Sequence, residues 1–268
     1  MSVATPTETL KKASDAGLAK ASSRTLPKLI VAGILAGAYI ALGGVLSIVI
    51  GFGFPDITSA NPGMQRLLSG LVFPIGLMLV VVLGADLFTG NNALLMPPLL
   101  ERRIGLWKVL SNWTVIWLTN FAGCLLVAYF LVYLTGLTSA GAYASAVESV
   151  AMAKVSQPFG VIFLKGIGAN WCVCLAVWLA LSGRRLGEKL LACEIPVMAF
   201  VALGFEHAIA NMFFIPLGMM QGAEITVGQM LWANLLPATL GNIAGGALFV
   251  GIVHYYLNKK IKNLRDSA

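Results

Sequence analysis

The sequence predicts an all-α integral membrane protein of six transmembrane helices, folded as two inverted three-helix repeats with the second and fifth helices broken. Three observations predict it: a composition too apolar for water, basic residues gathered between the apolar runs, and internal self-similarity centred on two polar interruptions. Of 268 residues, 58% are hydrophobic and 11% charged, against about 25% charged in soluble domains. Mean hydropathy is +0.86. So much apolar surface would leave a soluble monomer covered in adhesive patches.

The net charge of +7 would suit a nucleic acid, but its placement argues otherwise: fifteen of the 18 Lys and Arg residues fall in four clusters flanking apolar runs. No nucleic-acid partner is expected. The four cysteines, Cys124, Cys172, Cys174 and Cys193, lie in or beside apolar segments and read as small buried hydrophobes. Cys172 and Cys174 diverge on a helix and do not readily share a metal, so neither metal nor cofactor is expected.

About 20 apolar residues cross the hydrocarbon core as a helix. The uncharged run Leu29–Ile50 supplies the first span. Leu67–Leu100, too long for one simple helix and carrying Asp86, supplies the second, and Val109 to about Thr135 the third. Val155–Ser182, interrupted by Lys165, gives the fourth, Ile195 to about Met220 the fifth, and Gln229 to about Leu257 the sixth. Residues 1–26 lack the apolar core of a signal peptide and read as a cytoplasmic arm, an amphipathic surface helix using Leu10 and Leu18 being one form for it. The core domain is then 27–258, followed by a tail over 259–268.

Orientation follows from the positive-inside rule. The arm (Lys11, Lys12, Lys20, Arg24), the loop with Arg102, Arg103 and Lys108, the loop with Arg184, Arg185 and Lys189, and the tail (Lys259, Lys260, Lys262, Arg265) are basic. The alternate loops hold only Arg66 and Lys154. Both termini are therefore expected in the cytoplasm.

An offset of 120 aligns Leu83, Gly84, Asp86 and Asn91 with Leu203, Gly204, Glu206 and Asn211. An offset of 122 aligns Asn112, Leu118, Asn120, Ala122 and Gly123 with Asn234, Leu240, Asn242, Ala244 and Gly245, and one of 133 aligns Gly33, Ile34 and Ala36 with Gly166, Ile167 and Ala169. Three spans per half is an odd number, so the second half inserts upside down. Inverted repeats place a solute pathway at their interface, lined by interrupted helices. The interruptions stand at Gly84–Asn92 and at Gly204–His207, followed by Asn211. Backbone leaves a helix at membrane depth only where protein or a wet cavity satisfies it.

His207 is the most informative polar residue: an ionisable group at the membrane centre either faces a pathway or is a satisfied core side chain. A pathway imidazole would donate to an anion or hand over its proton. Glu206 beside it is structural or functional with equal ease. Lys154 is a loop lysine or a cation drawing in anions, and Lys165 snorkels or caps a half-helix. His254 reads as an interface residue. The rival reading, a buried catalytic set of Asp86, Glu206 and His207, lacks the second aspartate of an intramembrane aspartyl protease and any metal-ligand spacing. The small residues Ala32, Gly33, Ala36, Gly37, Ala38, Gly43 and Gly44 of span one let helices approach closely, within one protomer or between protomers.

The stretches Ala85-Asp86-Leu87-Phe88-Thr89-Gly90-Asn91 and Gly204-Phe205-Glu206-His207-Ala208-Ile209-Ala210-Asn211-Met212 resemble the two broken-helix motifs of the formate/nitrite transporter family. Gly168-Ala169-Asn170-Trp171, Val173 to Trp178, and Gly241 to Gly246 fit it as well. The resemblance covers about residues 27–258 and looks closest to the formate-channel branch. It implies an aquaporin-like protomer in a homopentamer of the bacterial inner membrane, each protomer passing formate, nitrite, acetate, hydrosulfide or similar monovalent anions. By motif match, His207 would be the central pore histidine and Thr89 the threonine facing it. Asn170 and Asn211 would be polar pore neighbours, with Glu206 beside the histidine, and Lys154 the outer-vestibule lysine. Phe73, Leu77, Leu87, Phe88, Val173 and Phe200 would form two apolar constrictions. A bare anion crossing those constrictions would lose hydration worth tens of kcal/mol by Born estimates, the neutral acid far less. Lys154 would concentrate the anion and His207 supply a proton between the constrictions.

Overall fold

The computed structural model of the chain describes residues 3–22 and 25–259, so Arg24, Lys260, Lys262 and Arg265 lie outside the described residues. All regular structure among them is helical. Among the described residues five helices are long and apolar enough to cross a membrane: Leu26–Gly51, Pro62–Leu83, Leu106–Tyr133, Phe159–Ser182 and Val227–Asn258. Their outward faces stay apolar, with Trp232, Leu164 and Phe130 among the exposed side chains, as a lipid-facing surface demands.

The expected second span, Leu67–Leu100, is three pieces. Its helix starts earlier, at Pro62, ends at Leu83, and is followed by the half-helices Phe88–Leu94 and Met96–Leu100. The expected fifth span is likewise two shorter helices, Leu186–Ala202 and Ala208–Met220. Gly84 and Gly204 cause both stops. They sit at φ 73° and 69°, the left-handed region that a side chain resists. Each is followed by the same closing bond, Ala85 N–H to Val80 O at 3.0 Å and Phe205 N–H to Phe200 O at 3.1 Å.

Another difference lies between Tyr133 and Phe159. The fourth span begins at Phe159, and the region read as loop carries the helix Gly141–Val155, which packs on Ala208–Met220. Alanine and serine make up much of it, so it lacks an apolar run; Ala146, Val147 and Ala151 are buried all the same.

The arm helix Pro6–Ser22 opens on a capping box, Thr5 N–H to Glu8 Oε2 at 2.8 Å and Glu8 N–H to Thr5 Oγ1 at 3.3 Å. Hydrogen bonding from the Thr5 backbone N–H, and after it from the Thr5 hydroxyl, holds the Glu8 carboxyl below its ordinary pKa. The helix spends its apolar face on protein rather than lipid: Leu10 is buried in the main core and Leu18 packs on the cluster around Met96 and Val109. Ser14 Oγ donates to Glu101 Oε2 at 2.6 Å and Lys12 Nζ to Leu181 O at 3.0 Å.

The small residues of the first long helix are used inside the protomer. A Cβ on Gly33 would meet Thr119, on Gly37 the carbonyl oxygen of Asn120 at 1.9 Å, and on Gly44 the ring of Phe213. Gly37→Ala should therefore force two backbones apart. We expect it to cut the yield of folded protein on size exclusion in mild detergent; an unchanged yield would mean that the Leu26–Gly51 and Leu106–Tyr133 pair tolerates separation.

Candidate functional site

The two breaks are built from the same bonds. Asp86 N–H donates to Ala32 O at 3.1 Å, and Glu206 N–H to Lys165 O at 3.3 Å. Asn120 Nδ2 donates to Gly33 O (2.8 Å) and Asp86 O (2.9 Å), while its Oδ1 accepts from Phe88 N–H (2.9 Å). Asn242 does the same for Gly166 O (2.8 Å), Glu206 O (2.9 Å) and Ala208 N–H (2.8 Å). These asparagines satisfy the groups that each broken helix exposes at depth, where no water would.

Each break also carries a four-residue ionic network. Lys154 Nζ stands 3.2 Å from Glu206 Oε2, which accepts from Asn211 Nδ2 (2.6 Å) and Asn234 Nδ2 (3.3 Å). Asn211 Nδ2 also donates to Asn234 Oδ1 at 2.7 Å, and Asn234 Nδ2 to Lys154 O at 2.8 Å. Lys20, from the arm helix, pairs in the same way with buried Asp86. Asn91 Nδ2 donates to Asp86 Oδ1 (3.5 Å) and Asn112 Oδ1 (3.0 Å), and Asn112 Nδ2 to Lys20 O (3.4 Å). Lys20 is the functional candidate that sequence reasoning missed. The signal was available, because an offset of 134 sets Lys20 against Lys154.

His207 and Thr89 meet where the half-helices converge, Thr89 Oγ1 to His207 Nε2 at 3.0 Å, both side chains buried. His207 also caps the helix Ala208–Met220: its Nδ1 accepts from Ala210 N–H at 3.1 Å. An acceptor at Nδ1 puts the ring hydrogen of the neutral imidazole on Nε2. The ring stacks on Phe200 at 5.7 Å, and Phe200 meets Phe73 edge-on at 5.8 Å.

Two chambers flank this point. One, of about 320 Å³, is lined by Phe73, Lys154, Phe200, Glu206, His207 and Asn211. The other, of about 200 Å³ on the arm side, is lined by Lys20, Leu77, Leu87, Asn91, Val177 and Lys189 among others. The expected constriction residues thus divide: Phe73 and Phe200 stand on the Lys154 side, Leu77 and Leu87 on the arm side. Phe88 lines neither chamber; its ring packs edge-on against Trp113 at 6.4 Å. Val173 is buried in the core one turn from Asn170 and lines neither. Asn170 spends its amide on Thr89 O (3.2 Å), Asn92 Oδ1 (3.1 Å) and Asn242 O (2.6 Å), so it braces the half-helices. Lys165 donates to Gln157 Oε1 at 2.6 Å and faces the larger chamber. Among the described residues no three His, Cys, Asp or Glu side chains gather as a metal site.

Residues 7–256 match the family model described as formate/nitrite transporter. The chain belongs to the formate/nitrite transporter family. It is 39% identical to the formate channel BtFdhC of Bacillus thuringiensis, over 92% of each chain. It is 36% identical to the formate channel FocA of Escherichia coli, over 94% of this chain and 93% of that one. Among solved structures, a pentameric formate channel with formate bound superposes at a TM-score of 0.78 with 30% identity, covering 89% of this chain and 100% of that one. This transporter is accordingly a multi-pass membrane protein whose relatives are channels and transporters rather than enzymes.

Proposed function

We propose that this transporter is a formate channel that passes small monovalent anions and their acids in both directions. The observation that carries this reading is the buried Thr89–His207 contact at 3.0 Å, beside one chamber whose lining includes Phe73 and Phe200 and near another whose lining includes Leu77 and Leu87. The formate channels among its relatives support formate as the physiological solute over nitrite.

In this reading the anion enters the chamber beside Lys154, sheds water at the Phe73–Phe200 ring, and meets a hydrogen-bond donor at His207 Nε2. Leaving past Leu77 and Leu87, it recovers hydration in the arm-side chamber. Crossing as the neutral acid avoids the cost of a bare charge. The sequence reading gave that proton to His207. A proton on Nδ1 would cost the bond from Ala210 N–H and place positive charge at a helix N-terminus, so we assign His207 the part of a neutral donor. The proton then comes from water in the chambers.

The paired bonds at the two breaks support two inverted three-helix repeats, six crossings with the second and fifth broken, and an aquaporin-like protomer. We place it as a homopentamer in a bacterial inner membrane with both termini cytoplasmic, so that the Lys154 chamber opens outward. Reporter fusions near Tyr143 and Gln221 should then report outside, and near Ile104 and Gly187 inside. Native mass spectrometry should show five copies.

The deciding experiment measures uptake by proteoliposomes of formate, nitrite, acetate and hydrosulfide in parallel. Formate should be fastest at equal concentration. A clear preference for nitrite or hydrosulfide would move the assignment within the family, and no flux of any would end it. Leu77→Ala, which widens the arm-side constriction, should raise acetate flux relative to formate; an unchanged ratio would make Leu77 ordinary core.

A further inference from the structure

The Lys154 chamber is more positive than its central ion pair accounts for. Glu206 neutralises Lys154 at 3.2 Å, so that pair attracts a distant anion little. Two further cations line the same chamber, Lys165 and Arg66, and neither forms an ion pair among the described residues. Lys165 is partly buried on Phe159–Ser182 and aimed by Gln157, whose Oε1 accepts from Nζ at 2.6 Å. Gln157 is itself anchored, its Nε2 donating to Ala153 O at 2.9 Å. Arg66 reaches in from the exposed rim of Pro62–Leu83. Three cations against one carboxylate leave this chamber with two net positive charges.

The repeat makes the arrangement informative. Where the two halves match, in the asparagine braces and the lysine–carboxylate networks, they build the breaks themselves. At the offsets of 133 and 120, Lys165 and Arg66 fall opposite Ala32 and Leu186, both uncharged. Neither side chain has a charged residue opposite it at these offsets, and the breaks use only the backbone carbonyl of Lys165.

We propose that Lys165, aimed by Gln157, and Arg66 form an anion-capture station at the mouth of this chamber, separate from the Lys154–Glu206 pair, that takes small carboxylates and oxyanions, dianions included. The inference deepens the transport reading and rests on it for the monovalent solute. A chamber of about 320 Å³ holds roughly ten water volumes at about 30 Å³ each, room enough for a hydrated one- or two-carbon carboxylate. A dianion suits two positive charges but cannot shed enough water to pass the Phe73–Phe200 ring, so it should occupy the station and block.

The probe is oxalate, in two assays on the full chain. Equilibrium binding of labelled oxalate to the detergent-solubilised protein needs no transport. Wild type and Lys165→Arg should bind it, Lys165→Gln and Arg66→Gln more weakly, and the double Gln variant not measurably. In proteoliposomes, Lys165→Gln should raise the formate concentration for half-maximal flux by about three- to tenfold, flatten its dependence on ionic strength, and leave the maximal rate near wild type. Lys165→Arg should restore all three. Failure of wild type to bind oxalate overturns the station, as does undiminished binding by the double variant. A fall in maximal rate alone, with half-saturation unchanged, overturns it too. Should wild type bind oxalate through Lys165 and Arg66 yet carry no formate, the station stands and the transport reading falls. Should Lys165→Gln fail to assemble, Arg66→Gln alone must lower oxalate affinity, or the station is rejected.

Discussion

His207→Phe should drop formate flux to the level of empty liposomes while leaving the oligomer intact. The imidazole makes two different bonds, and the substitution removes both. Nδ1 caps Ala208–Met220 through Ala210 N–H, and such caps are worth about 1 kcal/mol, which a packed membrane protein survives. A phenyl ring keeps the stack on Phe200 at 5.7 Å and fills the same space. Nε2, by contrast, is the donor that the proposed transport route places between the two chambers. A hydrogen bond to a charged group is worth about 1.5–3 kcal/mol, roughly ten- to more than a hundredfold in rate if the donor is needed at the barrier. Two further variants separate the nitrogens. Asn places an acceptor near Nδ1 but does not reach Thr89, so His207→Asn should keep the cap and lose most flux. Gln reaches the position of Nε2, so His207→Gln should retain more flux than Asn while losing the cap. A neutral donor also predicts a rise of wild-type flux toward acid pH that persists in His207→Gln, because the proton comes from water. Its disappearance would restore the relay. Wild-type rate and wild-type pH dependence in His207→Asn would make His207 a structural histidine.

The sequence made the breaks legible because each places Gly, an acid and an Asn inside an apolar run, a combination with no place in a simple membrane helix. Asp86, Glu206, His207 and Asn211 stand out on that ground alone, whereas Thr89 comes from the motif match. The repeat offsets also picked out Asn120 and Asn242, though not what they do; that depends on carbonyls such as Gly33 O and Gly166 O, brought near from other helices. Lys20 escaped because the arm read as a separate segment, whereas at the offset of 134 its helix falls on Gly141–Val155, itself hidden by small residues whose burial is set by packing rather than hydropathy. Phe88 and Val173 were placed in constrictions by motif match. Yet the half-helix turns Phe88 toward Trp113, and a side chain's direction at a break follows from the local dihedral angles, which pattern does not supply.

Asn242→Ala should prevent folding rather than slow transport. The side chain, fully buried, donates to Gly166 O at 2.8 Å and Glu206 O at 2.9 Å and accepts from Ala208 N–H at 2.8 Å. Alanine would strand three backbone groups in a dry interior, at about 1–3 kcal/mol each, against a total stability of typically about 5–15 kcal/mol. The loss falls on the join between two long helices and the broken one, so the break would close or the protomer come apart. Asn242→Asp keeps the acceptor for Ala208 but loses both donors, and its charge would face two carbonyl oxygens; it should fare no better. Asn120→Ala removes the matching bonds at the other break and should be equally severe, since Gly33 O, Asp86 O and Phe88 N–H have the same dependence. Size exclusion in mild detergent, with thermal unfolding of whatever elutes as an oligomer, reads the effect directly. An Asn242→Ala protein that elutes and melts like wild type would mean that water reaches these groups, and the brace would lose its standing as the element that holds the broken helix open.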